Sequence, residues 1–218
     1  MIKLYHAPIS PNSRRVWITL IEKGLDFELI ELKLDGEQFR PDFLAINPFS
    51  HIPTLVDDGF NVVESLAILD YLEAKYPQPR MLPENPQDLA IVKMVELVTA
   101  NELYSATTMF LPQILGLSKL DPEKADQAKQ KITVVLKFFE NLLGDRPYFG
   151  SEEITLAEVV AGTVIPLVPQ AGIPLENYPK INTWCNNLIA RPAWQTTQVT
   201  PQIMEDFKSV LKARMSKN

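Results

Sequence analysis

Ser10 and Ser13 stand three residues apart in the run Ser10-Pro11-Asn12-Ser13, where a strand pattern over Ile2–His6 and a two-proline loop give way to helical spacing. Two hydroxyls cannot form a disulfide, so this turn excludes dithiol exchange carried by the protein itself. A serine at a helix start can instead donate a hydrogen bond to an external thiolate, helped by the partial positive charge of the helix end. Ser10 and Ser13 are both candidates for that role, unless Ser10 is an ordinary loop residue and Ser13 merely the helix N-cap. Arg14 and Arg15 follow at once; one of them is expected to pair structurally with a carboxylate, and either can assist a thiolate by charge. His6 can also meet a thiolate through its imidazole, although a structural or pocket role is the preferred expectation for it.

A second group of chemistry-bearing residues is Glu64-Ser65, at the head of an amphipathic stretch in which Ser65, Ile68, Leu69, Leu72 and Tyr76 recur at helical spacing. Free backbone N–H groups at such a helix start can hold an anion, for example a carboxylate. Asp57-Asp58-Gly59 supplies a turn between the strand patterns Thr54–Val56 and Asn61–Val63.

The elements that position these groups follow in chain order. After the Ile2–His6 strand, a helix begins at about Ser13, with Val16, Trp17, Leu20 and Ile21 inward and Lys23-Gly24 as its stop signal. Phe27–Leu32 is a second strand, and 35–46 is loop plus a short helix starting at Pro41, where a missing N–H costs nothing. With the hairpin and the Glu64–Tyr76 helix, the order β-α-β-(α)-β-β-α matches the thioredoxin-like fold. Residues 77–86 hold four prolines and read as a stiff linker. Beyond them the pattern is helical: one or two helices over 85–116, one over Glu123–Leu143, a buried one from Leu156 to Leu167, another over Pro179–Ala190 and a last one near Pro201–Met215. Thr155 and Glu158 form a capping box ahead of the Leu156 helix. The expected architecture is α/β thioredoxin-like, then all-α: domain 1–76, linker 77–86, helical domain 87–218.

Composition narrows the partners. The chain has 218 residues, a net charge of −6 and an apolar share of 46%, so it has no basic surplus to neutralise nucleic-acid phosphates. No apolar run approaches the roughly 20 residues that span a bilayer. The start, Met1–Pro8, goes directly into a strand without a signal-peptide core, and the single cysteine, Cys185, suits a reducing compartment. The expectation is a cytoplasmic protein with no membrane or nucleic-acid partner, and with Cys185 an inert buried thiol.

Residues Asn47-Pro48-Phe49-Ser50-His51-Ile52-Pro53-Thr54-Leu55, followed by Glu64-Ser65-Leu66-Ala67-Ile68, resemble the glutathione-binding half of a cytosolic glutathione transferase. Ser50 stands where that family has glycine, which leaves the backbone angle at that corner open. The resemblance extends over nearly the whole chain: Thr155 and Glu158 resemble the family's Ser/Thr-x-x-Asp cap, and Tyr178-Pro179, Trp184 and Ala190-Arg191-Pro192-Ala193 its C-terminal pattern. Ser10 aligns with the catalytic serine of serine-type classes (theta, delta, zeta or phi-like, or a related bacterial class), with Ser13, Arg14 and His6 as alternatives.

For glutathione the resemblance implies backbone contacts from Ile52 to the cysteinyl residue and a cis Pro53. It further implies Glu64 and Ser65 on the γ-glutamyl end, and His51, with Gln38 or Arg40, near the glycyl end; His51 taken alone would be a surface loop residue. An apolar electrophile is expected between Ile9, Pro11 and Asn12 on one side and Tyr104, Thr107, Thr108 and Phe110 on the other, unless these last four serve only helix packing. Phe49 is expected either to insert between two helices of a partner copy in a homodimer or to pack within its own domain. The function so implied is conjugation of reduced glutathione to small hydrophobic electrophiles, a detoxification chemistry that needs no metal. The alternatives are a non-catalytic ligand-binding or scaffold protein of the same fold, and a glutathione-dependent isomerase or peroxidase.

Overall fold

A computed structural model of the chain describes residues 1–215. Its sheet has the strand order β2-β1-β3-β4, where β1 is Ile2–His6, β2 Phe27–Glu31, β3 Thr54–Asp57 and β4 Phe60–Val63. β1 runs parallel to β2, with Ile2 opposite Phe27, and antiparallel to β3, with Ile2 opposite Asp57. A parallel pair needs a crossover, and helix α1, Pro11–Glu22, supplies it. α1 begins two residues earlier than the apolar spacing suggests, because Pro11 occupies the first helical position and Ser10 caps it. It is buried on more than one side: Val16, Ile18 and Leu20 are fully enclosed, whereas Trp17 and Ile21 are half-buried. The β3–β4 turn is two residues, Asp58 and Gly59, both at positive φ (50° and 85°), the twist-matched geometry that glycine makes accessible.

Helix α2, Pro41–Leu44, and helix α3, Ser65–Lys75, complete the thioredoxin-like unit, and α3 buries Ser65, Ile68, Leu69 and Leu72. Tyr76 ends the helix instead of extending its apolar face. Its hydroxyl donates to Asp57 Oδ2 at 2.8 Å, beside Tyr71 Oη at 3.0 Å and Lys75 Nζ at 2.6 Å. Burial alone would push the Asp57 carboxyl up, but the bonds from Lys75, Tyr76 and Tyr71 together hold it below its ordinary value.

The chain packs as two compact units, one formed by Met1–Pro79 together with the chain from Pro192 onward, the other by Arg80–Arg191. This grouping differs from a division at 76 and 86 at both ends. The second half of the proline-rich stretch is anchored, since Met81 is buried and its carbonyl accepts from Leu156 N at 3.0 Å. At the other end α10, Pro192–Thr196, packs on α1 and brings the last helix, α11, Pro201–Met215, into the first unit.

The second unit is helical: α4 Pro86–Val98, a π turn Thr99–Leu103, α5 Tyr104–Thr108, α6 Leu111–Ile114, α7 Pro122–Leu143, α8 Leu156–Ala161 and α9 Pro179–Ile189. α8 stops six residues short of the expected Leu167, because Pro166 cannot continue an α-helix and the chain tightens into 3-10 turns over Ile165–Ala171. Gly150 (φ 67°) lies so close to α4 that a Cβ there would meet the Asp88 carbonyl at 2.6 Å.

Glu158 is the polar centre of this unit. Its carboxylate is fully buried and accepts from Thr155 N at 2.9 Å, Thr155 Oγ1 at 2.6 Å, Phe149 N at 2.8 Å and Trp184 Nε1 at 3.3 Å. It thus joins the capping box to the edge-to-face rings of Phe139, Phe149 and Trp184. Burial pushes its carboxyl up from 4.5 to about 7, against the opposing effect of those donors. Between these two values the folded protein keeps a proton that the unfolded chain has released, so this group makes stability fall as pH rises through that window. Asp57, with a lowered pKa, contributes stability that is lost only as pH falls below the ordinary carboxylate range, so the two windows do not overlap. Glu158→Ala is expected to cost about 3–5 kcal/mol, since buried donors lose their acceptor, and to flatten the decline between about pH 5 and 7; urea unfolding of both proteins across that range measures both effects.

Candidate active site

Ser10 has extended backbone angles (φ −83°, ψ 119°) and closes the start of α1. Its Oγ accepts from Ser13 N at 3.3 Å and its carbonyl from Arg14 N at 2.9 Å. Because the Oγ acts as acceptor toward the helix, its own hydrogen is left to point elsewhere, and the residue is half-exposed. Ser13 differs: it is 0% exposed, and its Oγ accepts from Ala7 N at 3.3 Å, holding the loop between β1 and α1. His6 is also buried, edge-on to Trp17 at 5.2 Å, and burial pushes its imidazole down to about 4, so it is neutral at pH 7. Arg14 donates from Nε to the Thr197 carbonyl at 2.8 Å, and burial draws its pKa down from the ordinary value.

Arg15, buried beneath the surface, places Nη1 3.4 Å from Ser65 Oγ. The start of α3 therefore combines helix N–H groups with a guanidinium from α1, and both favour a bound anion. Glu64, immediately before, is exposed and held at φ 68°, ψ 117° without a side-chain capping bond. That conformation is uncommon for a residue with a Cβ, and such outliers cluster at ligand-binding sites.

The loop before β3 is pinned by Asn47, a residue to which the sequence assigns no role beyond the motif. Its Nδ2 donates to the His51 carbonyl at 2.7 Å and Thr54 Oγ1 at 2.9 Å, and its Oδ1 accepts from Phe49 N at 3.0 Å. The Ile52–Pro53 peptide is cis. Ser50 takes the left-handed angle (φ 54°) that glycine would adopt there, and its hydroxyl donates to the Phe49 carbonyl at 2.6 Å. The side chain of Phe49 is 60% exposed, and His51 and Arg40 are exposed. Gln38 is buried with Oε1 lacking a hydrogen-bond partner.

A cleft of about 300 Å³ opens beside the Ser10 loop, lined by Ala7, Pro8 and Ile9, by Glu31–Leu34 after β2, and by Ile203, Asp206, Phe207 and Val210 of α11. Of the residues expected around an electrophile, Ile9 lines this cleft. Pro11 and Asn12 are half-buried in the first turn of α1. Thr107 and Thr108 donate their hydroxyls within their own helix, to Leu103 O at 2.8 Å and Tyr104 O at 2.9 Å; Thr107 and Phe110 are buried and Tyr104 is half-buried. The Ile203, Phe207 and Val210 spacing is legible as one apolar helix face, but nothing local tells that this face meets the end of β2. Among the described residues no three His, Cys, Asp or Glu side chains gather as metal ligands would, and no helix is long and apolar enough to cross a membrane. Cys185 is buried and its thiol is pushed up to about 11.

Comparison with known proteins gives two family matches: glutathione S-transferase, N-terminal domain, over residues 4–80, and glutathione S-transferase, C-terminal domain, over residues 99–192. Glutathione S-transferase 3 of Zea mays is 32% identical over 207 residues, 90% of this chain and 92% of that protein. Maleylacetoacetate isomerase of Mus musculus is 32% identical over 200 residues, 89% of this chain and 90% of that protein. A delta-class glutathione transferase of Nilaparvata lugens superposes with a TM-score of 0.81 at 28% identity, covering 98% of this chain and 99% of the other.

Ser65→Ala is expected to weaken glutathione binding by about 1–3 kcal/mol, the range for a charged contact left without its partner. Ser13→Ala, which removes a wholly enclosed hydroxyl, should leave that affinity unchanged. Titration calorimetry of the two variants with glutathione measures the contrast.

Proposed function

The chain belongs to the glutathione S-transferase family and is a glutathione-binding transferase, and on that premise we propose that Ser10 activates the bound thiol for attack on an electrophile held in the cleft beside it. The observation that carries this is the state of Ser10: capping α1 through its oxygen, half-exposed, with its hydrogen unused by the helix. A free thiol with a pKa of about 8.5 is only a few per cent thiolate at neutral pH. Lowering that value by roughly two requires about 2.7 kcal/mol of preferential thiolate binding. A charge-assisted bond from Ser10 Oγ, with the positive end of α1, is of that size. The thiol proton leaves to solvent, and the sulfur pair forms a C–S bond at the electrophilic carbon. The displaced pair departs with a leaving group or moves onto a conjugated neighbour.

In the same proposal the γ-glutamyl carboxylate lies at the start of α3, where Ser65 and the Arg15 guanidinium gather positive potential, with Glu64 toward the glutamyl amine. Ile52 offers its backbone to the cysteinyl unit, Pro53 holds that corner, and His51, Gln38 and Arg40 serve the glycyl carboxylate. Gln38 can do so through its amide N–H groups only. The apolar walls of the cleft favour a small hydrophobic electrophile. Isomerisation of a substrate with several carboxylates fits less well, because Glu31 and Asp206 face it against the single cation Lys33. The chemistry proposed needs no metal, and a cytoplasmic site suits it.

We further propose a homodimer in which the exposed Phe49 of each copy enters the other. The receiving surfaces are α4, which exposes Met94 and Leu97, and α7, which exposes Val134 and Phe138.

Ser10→Ala should lower the conjugation rate by about ten- to a hundredfold with little change in glutathione affinity. Steady-state kinetics test this, and a full rate in Ser10→Ala would remove the assignment. Phe49→Ala removes two aromatic anchors per two-fold interface, each contributing about 1.5–3 kcal/mol. Sedimentation at micromolar concentration should show a wild-type dimer and a dissociating variant; a wild-type monomer, or an equally tight variant, refutes the contact.

A further inference from the structure

The cleft next to Ser10 has one wall that arrives from the far end of the chain, and two arginines fasten it. Arg14, in the first turn of α1, donates Nε–H to the Thr197 carbonyl at 2.8 Å. Thr197 closes α10: it is 1% exposed, its N–H donates to the Ala193 carbonyl at 3.2 Å, and its Oγ1 donates to the same carbonyl at 2.9 Å. A carbonyl at a helix C-terminus has no partner within the helix and carries partial negative charge, so a guanidinium is well matched to it. Three residues on, Thr200 caps α11 by accepting from Ile203 N at 3.3 Å. At the other end of α11, Arg214 Nη1 donates to the Leu34 carbonyl at 3.3 Å. Between the two fastenings, Ile203, Phe207 and Val210 face Ala7, Pro8, Ile9, Leu32 and Leu34 across the cleft.

We infer that Arg14 and Arg214 are positioning residues that strap α11 across the electrophile cleft and so set electrophile affinity, and that Arg14 acts on this wall and not on the thiolate. The inference rests on the cleft being the electrophile site. The direction of the Arg14 bond argues against a thiolate role, because its Nε is turned to the main chain of the C-terminal segment. Arg214 is exposed and meets the cleft from the opposite end, on a different element from Ser10. Two residues 200 positions apart in sequence should therefore share one kinetic signature if the strap is what they have in common.

The test compares wild type, Arg14→Met and Arg214→Ala, with chlorodinitrobenzene and a long-chain alkenal as electrophiles. The Michaelis constant for each electrophile is expected to rise about five- to tenfold in both variants, within the range that a lost charged hydrogen bond allows. The Michaelis constant for glutathione should stay within about twofold, and so should the pH midpoint of the enzyme-bound thiol, followed by its ultraviolet thiolate absorbance, hold its place. A raised thiol midpoint in Arg14→Met with unchanged electrophile constants would assign Arg14 to the thiolate and overturn the inference. Unchanged electrophile constants in Arg214→Ala would overturn it also, and that variant decides alone if Arg14→Met fails to fold. Wild-type protein that conjugates neither electrophile would overturn the reading of the cleft, and with it the strap.

Discussion

Cations drawn out of water along α1 govern how the first unit is assembled. Removing a guanidinium or ammonium group from solvent is costly unless its donors find acceptors of fixed geometry. Each on α1 finds them on another element: Arg14 at the end of α10, Arg15 at the start of α3, and Lys23 at the Tyr76 and Pro79 carbonyls, both at 2.9 Å. Lys23 also pairs with Glu73 at 2.6 Å. The Arg14 and Arg15 contacts lie near the starts of α1 and α3, on which the proposed anion contacts depend, and Lys23 ties the ends of the same two helices together. The proposed site, with a thiolate at one place and a carboxylate at another, needs both starts held rigidly, and buried charge is one way to achieve it.

The second unit solves a parallel problem with the opposite charge. Glu158 is a lone carboxylate inside an apolar cluster, satisfied by two backbone N–H groups, a hydroxyl and an indole. Its neighbours come from the loop before α8, from the cap and from α9, so one carboxylate registers three parts of the chain against each other. Aspartate, one methylene shorter, would have to bring those donors closer together; glutamate leaves room for Phe149 to meet Phe139 of α7 and Trp184 of α9 edge-to-face.

The proposed thiolate site is small in energetic terms. One hydroxyl and one helix end must contribute about 2.7 kcal/mol, a quantity comparable with a single good charged hydrogen bond. Such a site has little margin, so in this proposal the orientation of Ser10 counts for more than its mere presence. Both serine oxygens accept a backbone N–H, Ser10 Oγ from Ser13 N and Ser13 Oγ from Ala7 N, but Ser13 is wholly enclosed whereas Ser10 is half-exposed, so of the two hydroxyls Ser10's is the accessible one.

Local pattern was enough for the thioredoxin-like element order, for the Asp58-Gly59 turn, for the capping box at Thr155 and Glu158, and for the family, because each is written in residues close together in the chain. Helical spacing also marked Ile203, Phe207 and Val210 as one apolar face. What that face would meet was not legible, since its partners at Pro8, Ile9, Leu32 and Leu34 lie nearly the whole chain away. The choice between Ser10 and Ser13 stayed open for the same kind of reason: both are serines at a helix start, and only the return of Ser13 Oγ to Ala7 N distinguishes an enclosed hydroxyl from an accessible one. Arg15 under Ser65 and Arg14 on Thr197 span 50 and 183 residues. Sequence determined which residues could carry charge and hydrogen bonds; tertiary packing decided which of them are enclosed and which stay accessible, because a side chain's partner is chosen by what folds against it.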